Sequence, residues 1–197
     1  MPEGIRDHEV VSVYPYTDEQ IDQLMNAAGE CVLMWGTQDG WPVGVYHSFV
    51  WKHGKFWITC AAHRHRVAAI RRDGRVAVAV SGVSARGEDS PRGSATAKCR
   101  AVVREDAETK EWFYRDLAHK SNPDDKAAED DFVERLDSPL RIIIEATPEK
   151  WITFDGAKSG KDMRGILTDE ERGARLDSDA VRMRAERERR GLDPDAR

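Results

Sequence analysis

The stretch that decides the fold runs from Cys31 to Val80 and reads CVLMWGTQDGWPVGVYHSFVWKHGKFWITCAAHRHRVAAIRRDGRVAVAV. Two polar, glycine-containing segments, Asp39-Gly40 and residues 52–55, interrupt its apolar runs and are typical of hairpin turns. The alternation between them predicts β-strands. We expect strands at residues 31–37, 43–51, 56–60 and 76–80, with a short helix at residues 63–73 before the last of them.

A basic cluster, His63-Arg64-His65-Arg66, stands where the third strand gives way to this helix. The first amides of a helix are unpaired donors, and guanidinium groups fork onto phosphate oxygens. The cluster therefore indicates a site for a phosphorylated cofactor. A solvated basic helix face is the alternative.

The rest of the chain adds helices and further strands around this segment. Thr17 and Gln20 have the spacing of a capping box and predict a helix over residues 17–29. Further segments are predicted as strands at 94–103, 140–145 and 150–154 and as helices at 107–120 and 126–136. We expect a mainly β fold, an antiparallel split β-barrel with peripheral helices. Its parts are an N-terminal extension (1–16), a cofactor-binding domain (17–167) and a charged C-terminal tail (168–197).

Composition restricts the class of protein. The formal net charge is −5, so no overall basic field draws the chain onto nucleic acid. No apolar run approaches the length of a membrane span, and residues 1–30 lack the apolar centre of a signal peptide. Cys31, Cys60 and Cys99 are odd in number and far apart, which favours reduced thiols in the cytoplasm.

The ordered series of segments carries a family likeness. It includes Asp39-Gly-Trp-Pro42, Phe56-Trp-Ile-Thr59, the basic helix start and Pro148-Glu-Lys-Trp-Ile-Thr-Phe-Asp155-Gly. This series resembles the pyridoxamine phosphate oxidase-like superfamily, which are flavin- and deazaflavin-binding split β-barrels. The likeness covers about residues 17–156. The family's helix-start lysine is Arg66 here and its serine is His63, and the Trp-x-x-Arg-Leu signature of the true oxidases is missing.

The resemblance implies a homodimer that binds FMN between its subunits and transfers a hydride to or from a small organic substrate. A deazaflavin-dependent reductase of the same fold is the first alternative. A non-catalytic module that binds flavin or haem is the second. No acid–base constellation identifies catalytic residues.

By the same resemblance, the second strand runs along the flavin ring and the basic helix start holds the phosphate. Lys98 lies on the polar face of the fifth strand, where it could reach the phosphate or the polar edge of the ring, and a solvated strand face is the alternative. The predicted cofactor-binding residues are Val45, Tyr46, His47, Ser48, Thr59, Cys60, Arg64, Arg66 and Lys98. Cys60-x-x-His63-x-His65 has a metal-ligand spacing, but nothing further in the sequence completes such a site, so we predict no metal.

Overall fold

The computed structural model describes residues 14–85 and 90–195, and within them seven strands form one antiparallel sheet. The strands are β1 (Glu30–Gly36), β2 (Pro42–Ser48), β3 (Val50–Lys52), β4 (Lys55–Ala61), β5 (Arg75–Ser81), β6 (Gly93–Arg104) and β7 (Arg141–Asp155). The helices are α1 (Asp18–Ala27), α2 (His65–Arg72), α3 (Ala107–Ser121), α4 (Lys126–Leu136), α5 (Gly156–Met163) and α6 (Asp177–Arg189). The predicted antiparallel split barrel with peripheral helices is confirmed.

The strand order, β2-β1-β5-β6-β7-β4-β3, places two consecutive strands at opposite edges of the sheet. β2 pairs with β1, whereas β3 pairs with β4. The single strand predicted over residues 43–51 is therefore wrong, because the chain leaves one edge at Phe49 and joins the other. Phe49 is fully buried at this crossing, so the apolar alternation continues through the break and conceals it in the sequence.

The last strand corrects a second prediction. The sequence predicts two strands, at residues 140–145 and 150–154, with Thr147-Pro148 between them. In the structure β7 is one continuous strand. Lys98 pairs with Lys150 and the next residue, Cys99, pairs with Pro148, so Glu149 is an extra residue in β7. This β-bulge accommodates a proline that cannot donate a hydrogen bond to the ladder.

Two apolar clusters cover the two sides of the barrel wall. Inside the barrel, Leu33 and Val78 are fully buried, and α2 inserts Val67 and Ile70 among them. Outside, α3 and α4 pack against part of the wall through a second cluster, of which Phe113 belongs to α3. The two-helix insertion expected between residues 104 and 137 thus covers part of the outer face.

The ends of the domain meet at Asp155. Its buried carboxylate caps α5, a helix that the sequence did not predict, and accepts a hydrogen bond from Gln20 Nε2 of α1 (2.9 Å). Tyr14 and Tyr16 are buried nearby, whereas the rest of the predicted extension, residues 1–13, lies outside the described residues. The capping box of Thr17 and Gln20 is confirmed.

The predicted charged tail contains α6, in which no residue is buried. Over the described residues, none of the helices combines the length and apolar character needed to cross a bilayer.

Candidate functional site

The start of α2 is the first element of the candidate site. α1, α3, α4 and α5 begin with a side chain that accepts a hydrogen bond from a helix amide. α2 begins at Arg64, which makes no such bond, and among the described helices only α6 shares this absence. A guanidinium group has no acceptor atom, and although the Val67 amide donates to the Arg64 carbonyl (2.9 Å), the amides of His65 and Arg66 remain available to an anion.

Three arginines surround the end of β4. Burial raises the pKa of the Cys60 thiol, while the positive charges of Arg66, Arg141 and Arg64 act in the opposite direction. Within the described residues, these arginines form no ion pair with a carboxylate. Because these three positive charges lie near one another without a paired carboxylate, they leave a local excess of positive charge at this corner.

Arg66 and His47 supply buried donors to the same place. The guanidinium of Arg66 lies over the ring of Trp35, with 5.6 Å between its central carbon and the ring centroid. Arg66 Nε and His47 Nε2 are buried and have no hydrogen-bond partner within the described part of the chain. Burial, followed by the charge of Arg66, lowers the pKa of His47 to about 4. The imidazole is therefore neutral at pH 7 and can either donate or accept a hydrogen bond.

The structure divides the predicted site residues between the two faces of the barrel wall. Val45 and His47 on β2 point inward and are half-buried, and Cys60 on β4 also faces the interior. Tyr46 and Ser48 alternate with them and are exposed on the outer face. The predicted residues that come together at the barrel end are therefore His47, Cys60, Arg64 and Arg66.

Two predicted residues lie apart from this group. The Thr59 hydroxyl donates to the Ile142 carbonyl (2.7 Å), and its neighbour across the ladder, Ile143, belongs to the cluster beneath α3 and α4. Lys98 is exposed on the outer face of β6, and β1 and β5 separate it from β2. Neither side chain converges with Arg66.

Arg141 and Trp35 lie next to these residues but were not among the predicted site residues. Arg141 reaches the end of β4 because Ala61 pairs with it across the β4–β7 ladder. The two residues are distant in sequence, and no local motif marks the pairing. Trp35 is one of four tryptophans in the hairpins, and the sequence alone does not distinguish the one that packs beneath a guanidinium.

The predicted metal-ligand spacing does not converge. Cys60 is buried, whereas His63 and His65 are exposed. Throughout the described residues, no three His, Cys, Asp or Glu side chains are grouped as a metal site would require. All three cysteines are buried free thiols, and burial raises the pKa of Cys31 and of Cys99 to about 12, which keeps both protonated.

The outer face of the sheet carries an uncovered row of residues. Val32 pairs with Tyr46 on one side and Ala79 on the other, Ala79 pairs with Thr96, and Thr96 pairs with Ile152. We call these five residues the outer row. None of them is buried, and Tyr46 and Ile152 are 72% and 55% exposed. The inward residues between them, such as Leu33 and Val78, are fully buried, so the outer row is an uncovered apolar strip on the other side of the sheet.

The fold and the matching sequence define the class of the protein. A family model described as pyridoxamine 5'-phosphate oxidase matches residues 17–155, most of the chain. The chain therefore belongs to this family of split barrels. No curated protein sequence matches the chain significantly.

Solved structures agree on the fold. A conserved hypothetical protein from Mycobacterium tuberculosis superposes with a TM-score of 0.62 at 14% identity, covering 73% of this chain and 87% of the other. A Listeria innocua protein, provisionally described as a pyridoxamine 5'-phosphate oxidase, superposes with a TM-score of 0.51 at 19% identity (68% and 95% covered). An FAD-binding protein from Mesorhizobium loti gives 0.50 at 12% identity (69% and 90% covered). At these identities the likeness concerns the fold.

Proposed function

We propose that the protein is an oxidoreductase that binds FMN and moves a hydride between it and a small organic substrate. The observation that carries the proposal is the unneutralised group of arginines at the uncapped start of α2, in a chain of this family. The buried, unpartnered nitrogens Arg66 Nε and His47 Nε2 fit a polar, anionic ligand, because an unpaired buried polar group costs free energy that a hydrogen bond to a ligand restores. The bound flavin would supply the redox chemistry.

The residues of the site have distinct roles in this proposal. Arg64 and Arg66 bind the phosphate together with the first amides of α2. His47, neutral because its pKa is lowered to about 4, hydrogen-bonds a polar edge of the ligand without adding charge. Trp35 holds the Arg66 guanidinium against its ring face. The arginine side chain is therefore partly ordered before the ligand binds, which lowers the entropy cost of binding.

We further propose that the active form is a homodimer in which a second copy covers the outer row. An apolar surface that crosses five strands is poorly suited to solvent, and a self-complementary face is the simplest way to bury it. Tyr46, Ser48 and Lys98 share this outer face. In such a dimer these three side chains would lie at the subunit interface, next to the cofactor. This position would explain why these predicted site residues point away from the barrel interior.

The phosphate assignment is tested by substituting the two arginines at the start of α2. Arg64→Ala and Arg66→Ala should each weaken FMN binding, on the order of ten- to a hundredfold, because each removes a charge-assisted hydrogen bond. Titration followed by flavin fluorescence measures the affinity. Arg71→Ala is the matched control, since Arg71 lies on the same helix, is exposed and pairs with Glu105. If both variants bind FMN as tightly as the parent and the control, the assignment is wrong.

A deazaflavin coenzyme is the second candidate. The group of arginines at the start of α2 also suits a coenzyme that carries an acidic tail in addition to its phosphate, because further negative charge would be attracted to it. Parallel titrations with FMN and with the deazaflavin coenzyme decide between them by relative affinity. The absorbance of the purified protein tests the haem-binding alternative, because bound flavin and bound haem have different spectra.

A further inference from the structure

Arg141 stands at the first position of β7, where the structure holds its backbone firmly. Ala61 pairs with it across the ladder, and the Ala62 amide donates to the Leu140 carbonyl (2.7 Å). These bonds bring the start of β7 beside the loop that leads from β4 into α2. Arg141 is therefore attached to the same corner of the barrel as Arg64, although it comes from a distant part of the chain.

The surroundings of the Arg141 side chain do not neutralise it. Arg141 shares its side of β7 with Ile143, which packs beneath α3, and its charge acts on both the Cys60 thiol and the Tyr114 hydroxyl. Arg141 Nε is buried and has no partner in the described part of the chain. The Tyr114 hydroxyl is also buried without a hydrogen-bond partner in this part of the chain, and Tyr114 is only 3% exposed. Asp137 also acts on Tyr114, but among the described residues no ion pair joins it to Arg141.

We infer that Arg141 is a third arm of the anion site and binds the ligand's phosphate together with Arg64 and Arg66. A half-buried guanidinium without a counter-ion is costly, and a phosphate between β4, α2 and β7 would neutralise it. The inference rests on the proposed function, because it takes the phosphate to be that of the flavin nucleotide. It assigns Arg141 to the recognition of the phosphate and not of the ring.

The test compares FMN with riboflavin, which has the same ring but lacks the phosphate. Arg141→Gln should weaken FMN binding on the order of ten- to a hundredfold and change riboflavin binding by less than about twofold. Arg141→Lys should recover part of the FMN affinity, since lysine keeps the charge but loses the planar fork. Arg135→Gln is the control, because Arg135 is exposed on α4, where it pairs with Asp131.

Three results would overturn the inference. Unchanged FMN affinity in Arg141→Gln would place the residue outside the site. An equal loss of FMN and riboflavin would mean that the arginine maintains the ring pocket. If Arg141→Gln binds FMN normally but unfolds more easily, Arg141 stabilises the fold, through Tyr114 or Asp137, and does not bind the ligand.

A separate measurement distinguishes failure of this inference from failure of the proposed function. If the parent binds no flavin, the proposed function is wrong, and inorganic phosphate then tests Arg141 directly. Phosphate should raise the unfolding temperature of the parent and of Arg135→Gln but not of Arg141→Gln. An equal rise in all three proteins would reject Arg141 as an anion-binding residue.

Discussion

His47 shows how one side chain acquires its properties from residues distant in sequence. It lies on β2 opposite Cys31, half-buried, with the Arg66 guanidinium close enough to oppose its protonation. Burial and this charge both disfavour the imidazolium, so its pKa falls from 6.5 to about 4. A histidine that would titrate near neutrality in an unfolded chain therefore remains neutral in the folded one.

This shift predicts a pH dependence of stability. Because the folded-state pKa is the lower one, the unfolded chain binds more protons than the folded chain between about pH 6.5 and about pH 4. The parent should lose stability as the pH falls through this window, and His47→Gln should lose less. Urea unfolding at several pH values measures the difference, with the exposed His63→Gln as control. Parallel curves for the parent and His47→Gln would contradict the prediction.

Gly93 is a second residue whose neighbours in the fold determine which amino acid can stand there. It adopts φ +127° at the start of β6, and a Cβ atom there would lie 1.9 Å from the Phe154 carbonyl oxygen. Gly93→Ala should therefore destabilise the fold by about 3 kcal/mol or more, measured by chemical unfolding. Gly29→Ala is the matched control, since its Cβ would meet nothing within 4 Å. Similar stabilities of the two variants would show that β6 and β7 can separate at little cost.

Among the elements, α5 and α6 differ in how they are attached. Tyr14 donates to Asp162 of α5 (2.6 Å), and Arg172 pairs with the same carboxylate (2.6 Å). Lys161 of α5 pairs with Glu171. By contrast, α6 buries none of its residues. The chain is therefore attached to the domain as far as residue 172, whereas α6 packs against nothing that buries its residues.

Two truncations test this boundary. Removing residues 176–197 should leave the unfolding temperature and FMN affinity unchanged. Removing residues 168–197 should also leave a folded, FMN-binding barrel. This truncation removes Glu171 and Arg172, the ion-pair partners of Lys161 and Asp162. Surface ion pairs of this kind contribute up to about 1 kcal/mol, so the unfolding temperature should fall by about 2–4 °C. An insoluble product, or one that loses flavin, would instead make the tail part of the assembled site.

At the scale of the whole molecule, the outer row predicts the state of assembly. The parent should be a dimer at about micromolar concentration, and Tyr46→Lys and Ile152→Lys should shift it toward monomer. Each variant places a charge in the apolar row, Ile152→Lys beside the Lys98–Lys150 pair, and a twofold axis would repeat that charge across the seam. Light scattering measures the mass. Val181→Lys, an exposed position on α6, is the control. A monomeric parent, or variants as dimeric as the parent, would reject this interface.

Local chemistry made much of the fold predictable from the sequence. The alternation of Ala95, Ala97 and Cys99 marked the inner face of β6, and all three are buried. The second turn was marked by His53-Gly54, and both residues adopt positive φ there. The capping box at Thr17 marked the start of α1. Each signal depends on residues within a few positions of one another, where backbone sterics and short-range hydrogen bonds decide the conformation.

The closure of the barrel and the composition of the site were decided only by the tertiary structure. The sequence placed Arg64 and Arg66 at a helix start, but only strand pairing put the start of β7, with Arg141, beside that corner and placed Lys98 three strands from β2. The same pairing sent β2 and β3 to opposite edges, although a single alternating pattern runs through both. Pairing between distant strands depends on the closure of the whole sheet around its core, and no window of neighbouring residues contains that information.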